Sequence, residues 1–465
     1  MEEAVVTSTP AACDKDLDER LELAIEGLDV VSAERPLADE MSIRDLRRSR
    51  FQGADDKVGM LTLTNIDGLL VWEYGTGVAS PIDMAGRRRR GGSDAVPSGT
   101  IVKQLKFKKL EPNQIGEFLG RLDDKCAAKG TDGSAVYGLR RWQPETSDLV
   151  PIDSNEDPND GSILLLVHGT FSNSDHVLGE ILATQEGESF LNRAAARYPG
   201  GILTFDHPTL SVSPVLNALD LARLLARRKG PIDVICHSRG GLVTRWWLEA
   251  FGGAQRAKAR AVFVGSPLRG TGLAAPDRLR SALALLTNFG KVLEAGSRTA
   301  SLAVPMLSVA VGIQKIVTSI TNVGAKTPLL DAAIAMVPGL SAQSAASNNA
   351  ELKRLRTRGS ESLPEYFAVL SNFEPENPAW KFWKYFRTLP LRVADLAVDA
   401  VFDAANDLVV DTSSMASFYG FDSENKVDLP ESSVCDFGSS KTVHHLNYFR
   451  QEKTIASLES WLKVP

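Results

Sequence analysis

Short apolar runs recur through the second half of the chain. Residues 162–167, 202–205, 232–236, 260–264 and 366–370 are almost entirely apolar. Runs of this length suit strands that are buried on both faces of a parallel sheet. Helical patterns lie between them, and an amphipathic helix ends the chain. The pattern predicts an α/β fold with a mostly parallel sheet flanked by helices.

The first 150 residues have a different pattern. Residues 1–50 are polar apart from one amphipathic stretch, Leu17–Val30, and are expected to be a docking helix or a partly disordered segment. Residues 51–150 alternate strand and helix signals around an Asp-Gly hairpin turn, which predicts a small α+β module. The Pro- and Asp-rich stretch Pro151–Gly161 is expected to be a linker, so that residues 161–465 form the main domain.

One predicted strand runs directly into a serine. Residues 232–243 read Ile-Asp-Val-Ile-Cys-His-Ser-Arg-Gly-Gly-Leu-Val, which is a β-branched strand, a turn with Ser238 at its tip and the start of a helix. A serine on such a turn projects above the sheet, and the N–H groups of the helix N-terminus face a developing oxyanion. The usual pattern is Gly-x-Ser-x-Gly. Here Cys236 replaces the first glycine, whereas Gly240 keeps the second.

Four further motifs follow predicted strands or precede the last helix. They are His168-Gly-Thr-Phe171, Gly265-Ser-Pro-Leu-Arg-Gly-Thr271, Asp403-Ala-Ala-Asn-Asp407-Leu-Val-Val410 and Val443-His-His-Leu-Asn-Tyr-Phe449. The motif at Gly265 resembles the Gly-Thr-Pro-His-x-Gly run of lipases, and the motif at Asp407 resembles their Asn-Asp-Gly-Val-Val turn. Together the motifs resemble the α/β-hydrolase superfamily, in particular its lipase- and esterase-like serine hydrolases. The resemblance covers about residues 161–463.

The resemblance implies a Ser-His-Asp triad in the chain order of this fold. Ser238 is expected to be the nucleophile, Asp407 the acid and His445 the base. The alternatives are His444 as the base, and Asp403 or Asp411 as the acid. Cys236 lies two residues before the tip of the turn and is expected to be a buried small residue.

The oxyanion hole would be formed by backbone N–H groups. One donor is expected from Arg239, directly after the serine, and the other from Thr170 or Phe171, between which the sequence does not decide. The chain has no His-x-x-x-His pair on a helix and no Cys-x-x-Cys pair, so no metal or organic cofactor is expected. The expected substrate is a small-molecule or lipid acyl ester.

Two other functions remain open from the sequence. A peptidase, amidase or thioesterase would use the same triad, because fold and triad do not fix the leaving group. Alternatively, the fold is catalytically silent and residues 1–150 bind a protein partner.

An insertion at about residues 274–355 interrupts the predicted sheet. In lipase-like hydrolases an insertion at this place forms a cap or lid over the serine. Its most apolar part, Ser301–Val323, is interrupted by Pro305, Gln314 and Lys315. We expect a helix buried in the cap; the alternatives are a lid at a lipid interface and a membrane span, which needs about 20 mainly apolar residues.

Composition narrows the functional classes. The chain of 465 residues has a net charge of −6, which gives no reason to expect nucleic acid. Its basic run, Arg87–Arg90, is flanked by glycines and is expected to be a solvated loop, with contact to an anionic membrane surface as the alternative. The four scattered cysteines and the acidic N-terminus predict a cytoplasmic protein.

Overall fold

The computed structural model describes residues 10–34, 41–42, 57–66, 68–75, 98–152, 161–252, 259–275, 278–292, 302–320, 335–345, 349–356, 364–376, 405–418 and 429–465. Arg87–Arg90, Asp403, residues 153–160 of the expected linker and residues 321–323 of the apolar stretch lie outside these ranges.

The described strands are β1 (Val30–Glu34), β2 (Met41–Ser42), β3 (Val58–Ile66), β4 (Leu69–Gly75), β5 (Ser98–Lys108), β6 (Ala128–Lys129), β7 (Ala135–Val136), β8 (Gly138–Gln143), β9 (Asp148–Pro151), β10 (Ile163–Val167), β11 (Ile202–Asp206), β12 (Ile232–His237), β13 (Arg260–Val264), β14 (Glu365–Phe373) and β15 (Val434–Ser440). The described α-helices are α1 (Pro10–Ile25), α2 (Ile115–Cys126), α3 (Ser174–Ile181), α4 (Gln185–Arg197), α5 (Pro214–Leu224), α6 (Gly240–Trp246), α7 (Leu279–Val292), α8 (Ala303–Ile320), α9 (Pro338–Ser341), α10 (Ala350–Arg356), α11 (Thr412–Met415) and α12 (Glu452–Leu462). Short 3-10 helices lie at Pro112–Gln114, Gly272–Ala274, Glu431–Ser433 and Tyr448–Arg450, and a π-helical turn at Trp247–Phe251.

The chain divides into two compact units. Unit 1 comprises Met1–Ile115, Leu283–Leu329 and Leu391–Val398, and unit 2 comprises Gly116–Ala282, Leu330–Pro390 and Asp399–Pro465. Each unit is built from segments that are far apart in the sequence.

Unit 2 contains an eight-stranded sheet in the order β15-β14-β13-β12-β10-β11-β8-β9. The six strands from β15 to β11 are parallel, and β8 and β9 add to one edge as antiparallel neighbours. The α/β fold predicted from the sequence therefore corresponds to a mainly parallel central sheet with helices on both faces.

Both faces of this sheet are covered by apolar side chains. In β10 the side chains of Leu165 and Val167 pack against one face with Leu221 and Leu242, which belong to α5 and α6. The neighbouring Leu164 and Leu166 pack on the other face among apolar residues of α3, α4 and α12. Successive side chains of a strand point to opposite faces, so a strand covered by helices on both sides has no polar face. This explains why the run 162–167 does not alternate.

Part of the predicted small module belongs to the large sheet. Helix α2 and strands β8 and β9 lie in unit 2, where β8 pairs with β11 from Leu203 opposite Arg141 to Asp206 opposite Gly138. The first segment of unit 1 therefore ends at Ile115, whereas the module predicted from the sequence extends to residue 150. The reason is strand pairing over long range, which no local pattern in residues 116–151 reveals.

Unit 1 is organised around the strand order β1-β5-β3-β4, with β2 on β5. Two helices from the predicted cap segment complete it. In α7, Asn288 exchanges hydrogen bonds with the backbone of Leu70, and the hydroxyl of Thr287 accepts one from the indole N–H of Trp72 at 2.8 Å. In α8, the hydroxyl of Ser308 donates to the carbonyl of Ala24 at 2.8 Å.

Helix α8 is long and apolar enough to cross a bilayer, and 89% of it is buried inside the protein. Lys315, in its second half, donates from Nζ to the carbonyl of Leu28 at 2.8 Å. This helix therefore contributes to the core of unit 1. Buried helices in protein cores often have this length and composition. One such helix is therefore weak evidence for a membrane-spanning segment.

Candidate active site

Ser238 lies in a strained turn between β12 and α6. Its φ is +53°, in the left-handed region that costs a non-glycine residue energy. Its N–H donates to the carbonyl of Val264, and its own carbonyl accepts from the N–H of Gly241, both at 2.9 Å. The side chain is 5% exposed. Strand pairing and the helix start together hold the serine in a conformation that it would not adopt on its own.

Two glycines make room for this turn. A Cβ at Gly169 would lie 2.7 Å from the Cβ of Ser238, and one at Gly240 would lie 2.5 Å from the carbonyl oxygen of Val167. Cys236, in place of the first glycine of the usual pattern, is fully buried and donates from Sγ to the carbonyl of Val262 at 3.3 Å. Burial raises the pKa of Cys236 to about 12, so its thiol is not ionised at neutral pH.

Asp407 and His445 form a buried pair. Nδ1 of His445 lies 2.8 Å from Oδ2 of Asp407, and the N–H of His445 donates to the carbonyl of Asp407 at 3.0 Å. Asp407 is 0% exposed and His445 is 4% exposed. The carboxylate fixes the imidazole with its proton on Nδ1, which leaves Nε2 free to accept a proton.

The pair lies at the same edge of the sheet as the serine. Gly265, directly after the residue that binds the N–H of Ser238, has a φ of +56°. A Cβ at Gly265 would lie 3.1 Å from Oδ2 of Asp407 and 3.2 Å from Nδ1 of His445. Only glycine allows this approach, which explains the glycine that follows β13.

His444, the alternative base, contacts residues other than the triad candidates through its ring. Its Nδ1 accepts from the N–H of Leu446 at 3.2 Å, and its ring meets that of Phe373 edge-on. Burial lowers the pKa of His444 to about 4. Of the alternative acids, Asp411 begins helix α11 and shares a backbone bridge with Asn406.

The expected oxyanion donors follow two residues of the serine turn region, Ser238 itself and Gly169, which approaches it closely. Phe171 has a φ of +58°, and its N–H donates to the hydroxyl of Thr209 at 3.3 Å. The hydroxyl of Thr170 donates to Oε1 of Gln343 at 3.1 Å, so the segment that contains α9 contacts this loop. Arg239 is 0% exposed, and its Nη2 donates to the carbonyl of Val212 at 2.6 Å and to Oδ1 of Asn217 at 2.7 Å.

Asp123 supports this region from helix α2 and was missed in the sequence. Its two oxygens accept five hydrogen bonds from backbone N–H groups and hydroxyls of residues 209–211, at 2.6–3.3 Å. One of the five comes from the hydroxyl of Thr209, which itself accepts from Phe171. Asp123 thereby positions the loop behind the expected oxyanion hole. No sequence motif marks it.

Two of the other histidines, His168 and His207, contact each other. His168 accepts at Nε2 from the N–H of His207 at 3.1 Å, and the two rings stack at 4.1 Å. Burial lowers the pKa of both residues. Within the described part of the chain, no group of three or more His, Cys, Asp or Glu side chains is arranged to hold a metal ion.

Residues 135–463 match the family model DUF7379, described as a domain of unknown function. The match covers more than half of the chain, which therefore belongs to this family. No curated protein matches the sequence.

Several solved structures are similar to the chain at low identity. Lipase 1 from Pelosinus fermentans has a TM-score of 0.37 and 13% identity, over 65% of this chain and 96% of the lipase. The metagenomic carboxyl esterase MGS0156 has a TM-score of 0.29 and 15% identity, over 68% of this chain and 79% of the esterase. Phospholipase PlaB from Legionella pneumophila has a TM-score of 0.31 and 13% identity; the match covers 55% of this chain and 45% of the phospholipase.

Proposed function

We propose that the protein is a serine hydrolase that cleaves carboxylic esters through an acyl-enzyme on Ser238. The observation that carries the proposal is the 2.8 Å contact of His445 with Asp407, at the sheet edge where Ser238 sits in a left-handed turn. A buried imidazole held by a carboxylate, at the edge of the sheet that also carries a strand-to-helix serine, is the arrangement that activates a hydroxyl nucleophile.

The proposed reaction has two halves. In the first, Oγ of Ser238 attacks the ester carbonyl carbon while Nε2 of His445 takes the hydroxyl proton. The tetrahedral intermediate collapses, the C–O bond to the alcohol breaks, and His445 returns the proton to the departing alkoxide. In the second half, His445 takes a proton from water as the water oxygen attacks the acyl carbon. The second tetrahedral intermediate then collapses, the bond between the acyl carbon and Oγ of Ser238 breaks, His445 returns the proton to Oγ, and the carboxylic acid leaves. The chemistry needs only these side chains and water.

The oxyanion would be bound by the N–H groups of Arg239 and Thr170. Arg239 is the residue directly before helix α6, and the N–H of Gly241 in the first turn of this helix donates to the carbonyl of Ser238 at 2.9 Å. Thr170 is favoured over Phe171 because the N–H of Phe171 already donates to Thr209. A small-molecule or lipid acyl ester is the proposed substrate. Contact of the protein with a membrane surface is proposed only for the case in which the substrate is a lipid ester.

The test is covalent labelling of the purified protein by a fluorescent fluorophosphonate. We expect wild type to be labelled, Ser238→Ala to be unlabelled, and Ser266→Ala to be labelled as strongly as wild type. Ser266 is a suitable control because it is also buried and lies after the neighbouring strand β13. Equal labelling of wild type and Ser238→Ala, or no labelling of folded wild type, would contradict the proposal.

A second measurement determines which leaving group the enzyme prefers. Matched acyl esters, thioesters and anilides of butyrate are compared by kcat/KM on the same enzyme. The proposal expects the oxygen ester to be the best of the three. A higher value for the anilide would indicate an amidase or peptidase, and one for the thioester would indicate a thioesterase.

A further inference from the structure

Asp407 has a second side-chain donor besides the histidine. Its Oδ2 accepts from Nδ1 of His445 at 2.8 Å and from the hydroxyl of Tyr448 at 2.9 Å. Its Oδ1 accepts from the N–H groups of Val409 at 3.1 Å and Val410 at 2.9 Å. A carboxylate has about four acceptor positions, so the hydrogen-bonding capacity of Asp407 is fully used.

Tyr448 is held in place to make this contact. Its side chain is buried, its hydroxyl lies 3.7 Å from Sδ of Met415, and it belongs to the 3-10 turn three residues after His445. A Cβ at Gly265 would lie 2.9 Å from the Tyr448 ring, so the missing side chain there gives the ring its space. Burial raises the pKa of Tyr448 well above its ordinary value, and its hydroxyl therefore stays protonated and donates.

We propose that Tyr448 is a positioning residue that acts on His445 through Asp407. This rests on the proposed function, in which His445 is the base. The phenol fixes the rotation of the carboxylate, because Oδ2 must face both donors at once. It also withdraws electron density from Oδ2 and so limits how strongly Asp407 stabilises the imidazolium.

Removing the phenol hydroxyl has two separable consequences. The carboxylate becomes more basic towards His445, so the imidazolium is favoured and the acid limb of the pH–rate profile moves to higher pH. The carboxylate is also less well oriented, so kcat falls while KM stays unchanged. If Tyr448 had a merely structural role, removing its hydroxyl would lower the stability of the protein and leave the acid limb at its wild-type pH.

The chain offers a matched control. Tyr198 is also buried and donates from its hydroxyl to Oδ2 of Asp233 at 2.8 Å. Asp233 lies near the start of β12, the strand that ends before Ser238, and is therefore at the opposite end of the sheet from the site. Tyr198→Phe removes a hydrogen bond from a buried phenol hydroxyl to a carboxylate, as Tyr448→Phe does, and leaves the contacts of Asp407 unchanged.

The experiment compares Tyr448→Phe and Tyr198→Phe with wild type by two readouts. The first is the pH dependence of ester turnover and of fluorophosphonate inactivation. We expect Tyr448→Phe to lower kcat about tenfold, as for loss of a hydrogen bond to a charged group. We also expect its acid limb to move upward by about half a pH unit or more. Tyr198→Phe should keep the wild-type limb.

The second readout does not depend on activity. In proton NMR of 15N-histidine-labelled protein, the Nδ1-bound proton of His445, assigned by its loss in His445→Gln, should move in Tyr448→Phe and stay in Tyr198→Phe. Failure of the wild-type protein to react with fluorophosphonate would contradict the proposed function. The Nδ1-proton resonance of His445 would still test whether Tyr448 acts on His445 through Asp407. An unchanged resonance in Tyr448→Phe would overturn the positioning role.

A second substitution keeps the proposal testable where Tyr448→Phe does not fold. Replacing Tyr448 with 3-fluorotyrosine retains the hydroxyl and makes it a stronger donor. The acid limb should then move to lower pH, opposite to the shift in Tyr448→Phe. An acid limb identical to that of wild type would count against the proposal.

Discussion

His237 donates a hydrogen bond from Nε2 to the backbone carbonyl of His445 at 2.9 Å. The residue before the proposed nucleophile is therefore bound to the residue that would act as its base. Desolvation lowers the pKa of His237 to about 3, so it stays neutral and keeps its proton on Nε2 at physiological pH. The contact ties the turn at the end of β12 to the loop that carries His445.

The two adjacent histidines should differ sharply in their effect. His445→Ala should reduce ester turnover by about 10³-fold or more, as loss of a triad base does, because Ser238 loses its proton acceptor. His444→Ala should leave turnover within a few-fold of wild type, because Oδ2 of Asp407 is contacted by Nδ1 of His445, whereas Nδ1 of His444 accepts from the N–H of Leu446. The measurement is kcat/KM on p-nitrophenyl butyrate. The reverse order of the two effects would assign the base to His444.

Asp407→Asn tests the acid against its nearest rival. An asparagine at 407 can present an N–H instead of an acceptor to Nδ1 of His445, so the tautomer is wrong and kcat should fall by about 10²- to 10⁴-fold. Asp411→Asn is the matched control, because it makes the same neutralisation at the start of α11. It should retain near-wild-type kcat. A similar fall in kcat in both variants would contradict the assignment of Asp407, rather than Asp411, as the triad acid.

Thr209 should influence catalysis without touching the serine. In Thr209→Val the N–H of Phe171 loses its acceptor, the loop behind the oxyanion hole loosens, and kcat should fall about tenfold. Thr209→Ser keeps a hydroxyl and should restore turnover. An increase in kcat for Thr209→Val would mean that the released N–H of Phe171 is itself an oxyanion donor.

A chain that begins at Ser162 should not fold into a soluble enzyme. It lacks β8, which pairs with β11, and Arg140, whose Nε donates to Asp206 at 2.8 Å. It also lacks Asp123 and its five hydrogen bonds to residues 209–211. A chain that begins at Pro10 is the control and should retain turnover. Full activity of the shorter chain in the soluble fraction would refute this expectation.

Unit 2 should lose stability on mild acidification. Burial is the main reason that the pKa values of His176 and His444 fall to about 4 and that of His237 to about 3, whereas an unfolded histidine titrates near 6.5. The unfolded chain therefore binds more protons below pH 6.5. Stability is fully present above this pH and is lost as the pH falls towards 4, by at most about 1.4 kcal/mol per pH unit for each histidine.

The measurement is the thermal midpoint between pH 7.5 and 4.5. His176→Gln is the control, because it removes one titrating group away from Asp407 and should reduce the slope below pH 6.5. A midpoint that does not change with pH over this range would contradict the expected linkage.

The strands could be predicted because burial on both faces leaves a local signal in the sequence, a short run of apolar residues. Each strand of a covered parallel sheet is apolar along its length, so β10, β12 and β13 stand out without any knowledge of their neighbours. The strand ends were informative for a related reason. Parallel strands place their carboxyl ends on one edge, and residues following β12 and β13 meet there.

The remaining parts of the site depend on contacts between distant segments. Asp123 and Thr209 are 86 residues apart, and neither lies in a recognisable motif. Tyr448 stands three residues from His445, yet only the turn Tyr448–Arg450 brings its hydroxyl back to Asp407. The cap segment illustrates the same limit. Its composition predicts the apolar helix but gives no sign of the partners of that helix in residues 10–34.

The packing of α8 also bears on the order in which the chain folds during synthesis. Ser308 binds the carbonyl of Ala24, 284 residues earlier, and Lys315 binds that of Leu28. At about 5–20 residues per second, the ribosome needs tens of seconds to make the intervening chain. The first helix must therefore wait for its partner while most of the sheet around Ser238 emerges. The segment around Ala24 is therefore among the last parts of unit 1 to be buried.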